Sequence, residues 1–191
     1  MRSVMTMEEY QRAAQRNSPD DGHDKVDNGI LGLIGETGEL VDVYKKWKYQ
    51  SPLNARIPTE RFADELGDVL WYLAELAAGM GKSLIQISGE DFAGLDRCAC
   101  AASRQKTIRS LVIGISGVVG RLARHMQISN NKRAEGEMRL ILIAAARLAR
   151  AVGYDIQSVA RDNIVKIRRR YPNGFDPGIS EARYANEEKP D

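Results

Sequence analysis

No proline occurs between Pro58 and Pro172. That span lacks the residue that most reliably breaks a helix, and its apolar residues recur at helical spacing. Strand signals are poor: few alternating segments, few aromatic runs and no Asn-Gly turn. The chain is therefore expected to be all-α. The spacing predicts a short helix near 6–16 and longer ones near 26–48, 59–80, 83–100, 105–128, 132–151 and 155–170. A loop near 49–58 (YQSPLNARIP) separates the second and third helices, and the end from Tyr171 to Asp191, with three prolines and two glycines, reads as irregular.

A faint internal repeat runs through these helices. GLIGETGEL at 32–40 aligns with GISGVVGRL at 114–122, and ELGDVLWYLAELAAGMG at 65–81 aligns with EMRLILIAAARLARAVG at 137–153. Repeats of this kind point to a duplicated supersecondary unit. The expected organisation is a first helical unit over 1–100, a degenerate second unit over 101–175 packed on the first as a pseudo-dimer, and an irregular tail over 176–191. Chance matching between helix-rich segments is the alternative.

Within the first unit, Glu36 and Glu39 are three apart, as are Glu65 and Asp68 on the next long helix. Residues i and i+3 project from nearly the same side of a helix. Two such helices packed antiparallel would gather four carboxylates beside apolar stripes formed by Leu33 and Leu40 on one helix and Val69, Tyr72 and Leu76 on the other. Four anions in a partly dry site repel one another. A hard divalent cation relieves that repulsion, and Mg²⁺ or Mn²⁺ prefers such oxygen ligands. A solvated acidic face is the alternative for either pair alone. Gly32, Gly35, Gly38 and Gly67 lie in the same predicted helices and together cost about 4 kcal/mol against alanine. Close helix approach or space for a ligand would explain them; a helix broken near Gly38 is the alternative.

The runs GLIGETGELVDVYKKW and ELGDVLWYLAELA resemble the signature of MazG-like all-α nucleotide pyrophosphohydrolases: E-x-x-E, a gap, then E-x-x-D, with glycine before the first acid and D-V-L-W after the last. The likeness covers roughly 8–80, and DNIVKIRRRYPNGF at 162–175 is similar to the family's closing helix. The resemblance implies Mg²⁺-dependent hydrolysis of nucleoside triphosphates, often deoxy ones, to monophosphate and pyrophosphate. Related members include dimeric dUTPases and dCTP-preferring enzymes. It implies metal ligation by Glu36, Glu39, Glu65 and Asp68. Glu36 is expected to accept the proton of the attacking water, with Glu39 as the other catalytic candidate.

Cleavage of a triphosphate also needs cations on the leaving group and a surface for the base. Lys166 and Arg170, four apart on the last long helix, and Asn163 before them are candidates for the first need. Lys45, Lys46 and Lys48 are the alternatives nearer in sequence. Trp47, Trp71 and Tyr72 are candidates for the base, although an aromatic at helical spacing is more often core. In the second unit Glu36, Glu39 and Asp68 correspond to Val118, Arg121 and Leu140, and only Glu137 persists, opposite Glu65. The acids therefore belong to one half and the basic helix to the other, which suggests a composite site. No clear base-reading residue distinguishes a broad pyrophosphohydrolase from a dedicated dUTPase or dCTPase. A non-catalytic nucleotide-binding or metal-binding module and a redox di-metal carboxylate bundle are the remaining readings; the latter calls for Glu-x-x-His pairs, and neither His23 nor His125 is so placed.

Net charge is only +2, so the total field gives no reason to expect a nucleic acid polymer as partner. No segment is apolar over a membrane-spanning length, and MRSVMTMEEYQRAAQR lacks the apolar stretch of a secretory signal. A cytoplasmic protein is expected, with Cys98 and Cys100 as reduced thiols. A homodimer is compatible with the resemblance, although an internal pseudo-dimer removes the need for one.

Overall fold

The computed structural model describes residues 5–18, 24–97 and 104–187. Among them there is no strand, and the fold is an all-α bundle. The helices are α1 (Met7–Gln15), α2 (Lys25–Lys45), α3 (Thr59–Gly79), α4 (Leu84–Ser88), α5 (Phe92–Arg97), α6 (Arg104–Gln127), α7 (Asn131–Ala151), α8 (Ile156–Arg170) and α9 (Pro177–Glu187). None of the described helices is long and apolar enough to cross a membrane. Cys98, Cys100 and His23 lie outside the described residues.

Local chemistry sets most helix starts. Thr6 and Glu9 form a reciprocal capping box at α1, the Asp24 carboxylate accepts from Val26 N and Asp27 N in the first turn of α2, and Asp155 caps α8 through Ser158 N. Each cap satisfies backbone donors that have no partner inside the helix. α2 runs unbroken through Gly38 and then widens into a π-helical turn, Lys46–Gln50.

Two expectations are corrected. The segment 83–100 is not one helix: Gly89 adopts φ +73° and ends α4, and the chain restarts as α5, where Asp91 accepts from Phe92 N and from Met7 N of α1. The stretch after Tyr171 is not wholly irregular, because α9 occupies Pro177–Glu187. Asp176 accepts from Gly178 N at 2.9 Å, and Pro177 takes the first helical position, where a missing N–H costs nothing.

α3 is the central helix. Phe62, Leu66, Val69, Leu70, Leu73, Ala74, Leu76 and Ala77 are all 0% exposed, and α1, α2, α4, α7 and α8 all pack on it. α2 lies antiparallel against it. A Cβ on Gly79 would come within 2.8 Å of Val26 N, one on Gly29 within 2.7 Å of Leu76 N, and one on Gly32 within 2.0 Å of the Tyr72 ring. The pairs 26/79, 29/76 and 32/72 thus step down the two helices in register. This ladder carries forward to set Glu36 opposite Asp68 and Glu39 opposite Glu65. α6 and α7 form a second antiparallel pair, which packs against the first chiefly through α2 and α6.

Candidate functional site

Glu36, Glu65 and Asp68 each offer a carboxylate oxygen, and these oxygens all lie within 4.8 Å of one another. Each of the three is half-buried. Glu39 is exposed and lines the same cleft outside this tight triad. Burial, then repulsion from Asp68, Glu39 and Glu65, raises the Glu36 carboxyl from 4.5 to about 8. Glu65 is raised to about 7 by burial and then by Glu39, Asp68 and Asp64. Asp68 is also raised by burial, but Lys166 pulls against the rise. Crowded, partly dry carboxylates that hold protons into the neutral range suit a hard divalent cation, which compensates charge that protons otherwise must.

The cations come from α8. Lys166 Nζ lies 2.6 Å from Asp68 Oδ2 and 2.6 Å from Asp64 Oδ1. Asn163 Nδ2 donates to Asp68 Oδ1 at 2.9 Å, and the buried Tyr10 hydroxyl donates to Asn163 Oδ1 at 3.0 Å. Both oxygens of Asp68 are therefore held from α8. The approach depends on Gly67, where a Cβ would sit 2.9 Å from the Asn163 Cβ. Arg170, one turn beyond Lys166, lines the cleft directly.

The cleft has a volume of about 640 Å³, within the range of small-molecule sites. Beyond the acids its walls carry Trp71, Tyr72, Asn17 and Asn28, and the chain after α8 adds Tyr171, Phe175 and Ser180. Trp71 and Tyr72 meet edge to face with ring centroids 4.8 Å apart, and Tyr171 and Phe175 lie 5.5 Å apart. The Trp71 Nε1–H is buried and has no hydrogen-bond partner.

Of the residues singled out from the sequence, Glu36, Glu39, Glu65, Asp68, Tyr72, Trp71 and Arg170 share this cleft, and Lys166 and Asn163 reach it through Asp68. Two stand apart. Trp47 is buried beside Tyr44 and donates to Ala55 O at 3.1 Å, tying the 51–58 loop to the π-helical turn. Lys46 pairs on the surface with Asp42 at 2.6 Å. Asn17, Asn28, Asp64, Tyr171 and Phe175 were not legible as site residues, because no local spacing distinguishes them from ordinary surface or core positions. In the second helix pair Arg121 meets Glu137 through two hydrogen bonds of 3.0 and 2.9 Å.

A family model described as dUTPase matches residues 6–169. None of the curated proteins or solved structures compared with the chain matches it. The match runs from the residue that caps α1 to the last turn of α8, and so spans every helix that builds the acid triad and its cationic wall. The chain belongs to the dUTPase family.

Proposed function

We propose that this protein hydrolyses dUTP to dUMP and pyrophosphate with Mg²⁺ held by Glu36, Glu65 and Asp68, and with Glu39 completing the ligand set. The observation that carries the proposal is the joining, in one cleft, of an acid triad to a cationic helix, beside a wall of aromatic and carboxamide side chains. The family match favours dUTP over the broader range of nucleoside triphosphates expected from the acid motif alone. The motif's E-x-x-E and E-x-x-D spacing supports grouping this dUTPase with the MazG-like enzymes.

Mg²⁺ in the triad would neutralise and template the phosphates of the substrate. The chain's own groups do the rest. Glu36, which shares the cleft with Asp68, Glu39 and Glu65, would take a proton from the attacking water through an oxygen left free of metal. Arg170 faces the cleft and balances charge on the departing pyrophosphate. Asn163 serves as the residue that orients Asp68 rather than as a direct grip on substrate, because both ends of its carboxamide are engaged. The Asn28 carboxamide offers a donor and an acceptor to the nucleoside, beside the packed rings of Trp71 and Tyr72 that line the same wall.

The site is thus composite, with acids from the unit over 1–100 and cations from α8 of the unit over 101–175. In the second unit the Arg121 guanidinium stands against Glu137 where the first unit has Glu39 near Glu65, a fixed cation in place of an exchangeable one.

The test is pyrophosphate release with Mg²⁺ from dUTP, dCTP, dTTP, dATP, dGTP and the ribonucleotides, wild type beside Glu39→Ala. Release that is fastest from dUTP and lost in the variant is the expected result. Equal release from all would return the broader pyrophosphohydrolase. No release from any, with the protein folded, would leave a binding module.

A further inference from the structure

We propose that Lys166 is a tethered counter-cation that pairs with Asp68 of the acid triad until the divalent metal arrives, and that Asp64 is the anchor that then carries it. The inference rests on the metal-binding reading above.

Lys166 Nζ makes two contacts of equal length, 2.6 Å to Asp68 Oδ2 inside the triad and 2.6 Å to Asp64 Oδ1 outside it. The two acceptors differ in setting. The Asp68 side chain is 19% exposed and shares its second oxygen with Asn163, whereas the Asp64 side chain is 54% exposed and accepts from nothing else among the described hydrogen bonds. Asp64 takes no part in the three-carboxylate cluster, although it precedes Glu65 directly.

This arrangement answers two demands. Without a cation, Glu36, Glu65 and Asp68 crowd one another at low dielectric, and a lysine ammonium supplies one positive charge to the most enclosed of them. With a divalent ion held by the triad, that ammonium would be a second cation on the same carboxylate, and the two would repel. Lys166 need not leave α8 or rotate its stem to escape. The ammonium already touches Asp64, so yielding Asp68 amounts to lengthening one contact while keeping the other. Lysine suits the role better than arginine, since a compact ammonium can slide between two monodentate acceptors where a guanidinium would bind one as a fork.

Asp64 is thereby a positioning residue acting through Lys166, and the two should be coupled in metal affinity. The experiment is calorimetric titration of the metal-free 191-residue chain with MnCl₂, with no nucleotide present. It compares wild type, Lys166→Met, Asp64→Asn and the double variant. Lys166→Met removes the competitor and should bind Mn²⁺ more tightly, by about fivefold or more, the lower range of site-to-site coupling. Asp64→Asn leaves the ammonium with Asp68 as its only anchor and should bind about as much more weakly. In the Lys166→Met background the Asp64 substitution should have almost no effect. If the Asp64 effect is equally large in both backgrounds, Asp64 acts only as a nearby negative charge and the proposal fails. It fails also if Lys166→Met binds Mn²⁺ no more tightly than wild type. Lys166→Gln repeats the comparison if the methionine variant does not melt cooperatively. Absence of Mn²⁺ binding in wild type would instead sink the metal-binding reading itself, a distinct outcome from binding without coupling.

Discussion

Gly29→Ala and Gly38→Ala are the same chemical change on the same helix, and they should move stability in opposite directions. In a helix interior alanine is favoured over glycine by about 1 kcal/mol. At Gly38 nothing lies within 4 Å of the new methyl group, so that gain is expected nearly undiminished. At Gly29 the methyl would lie 2.7–2.8 Å from the backbone N and Cα and the Cβ of Leu76. Backbone cannot swing aside as a side chain can, so α2 and α3 must part locally. Overpacking of this kind costs about 1–3 kcal/mol, and here the contact is with main chain, at the upper end. Net of the propensity gain, Gly29→Ala should lose about 1–2 kcal/mol. For a chain of this size 1 kcal/mol corresponds to roughly 2–4 °C in Tm. Gly38→Ala should therefore melt about 2–4 °C higher than wild type and Gly29→Ala about 2–8 °C lower, by calorimetry under identical metal-free conditions. The parted register should also weaken Mn²⁺ binding in Gly29→Ala. If both variants melt higher than wild type, the close antiparallel approach of α2 and α3 at Leu76 is wrong, and with it the register that sets Glu36 against Asp68.

Three further outcomes follow from the site. A carboxyl whose folded pKa is raised contributes stability that is present below its ordinary value of 4.5 and is lost as pH rises through the raised one; with Glu36 at about 8 and Glu65 at about 7, the Tm of the metal-free protein should fall from pH 5 to pH 8. Mg²⁺ should restore progressively more over that window, and Glu36→Gln should flatten the metal-free profile while abolishing turnover; a metal-free Tm that rises across the window contradicts the assigned crowding. Asn163→Ala leaves one Asp68 oxygen without its donor and the buried Tyr10 hydroxyl with only its 3.5 Å contact to Gly67 O, costing about 1–3 kcal/mol, and should lower both Mn²⁺ affinity and kcat, whereas Tyr10→Phe should cost about 0.5–1.5 kcal/mol; denaturant melts and metal titration rank the two, and the reverse order would refute the part Asn163 plays in holding Asp68. Arg121→Ala leaves the Glu137 carboxylate, whose side chain is only 13% exposed, without its two guanidinium hydrogen bonds, so Tm should fall with pyrophosphate release unchanged; a collapse of turnover would show that the second helix pair serves the site directly.

The helices and the acid pairs are local features, and for that reason the sequence by itself determined them. A proline-free span with 3.6-residue periodicity commits each segment to α-helix through interactions within a turn or two, and i,i+3 spacing aligns Glu36 with Glu39 and Glu65 with Asp68 wherever those helices lie. The misreadings of the fold were also local. The left-handed cap at Gly89 splits 83–100, and the Asp176-Pro177 start signal opens α9 in a stretch that reads as loop. What the tertiary structure alone decided is the company the acids keep. Asp68 meets Lys166 and Asn163 across separations of 98 and 95 residues, and no periodicity carries over such a distance. Those contacts exist because the missing side chains of Gly29, Gly32 and Gly67 let α2 and α8 lie close on α3. From sequence the four glycines looked equivalent, yet nothing packs within 4 Å of a Cβ at Gly35 or Gly38. Trp47 and Lys46 read as well for the site as Trp71 and Arg170 did, and only the direction each side chain takes from its packed helix separated them.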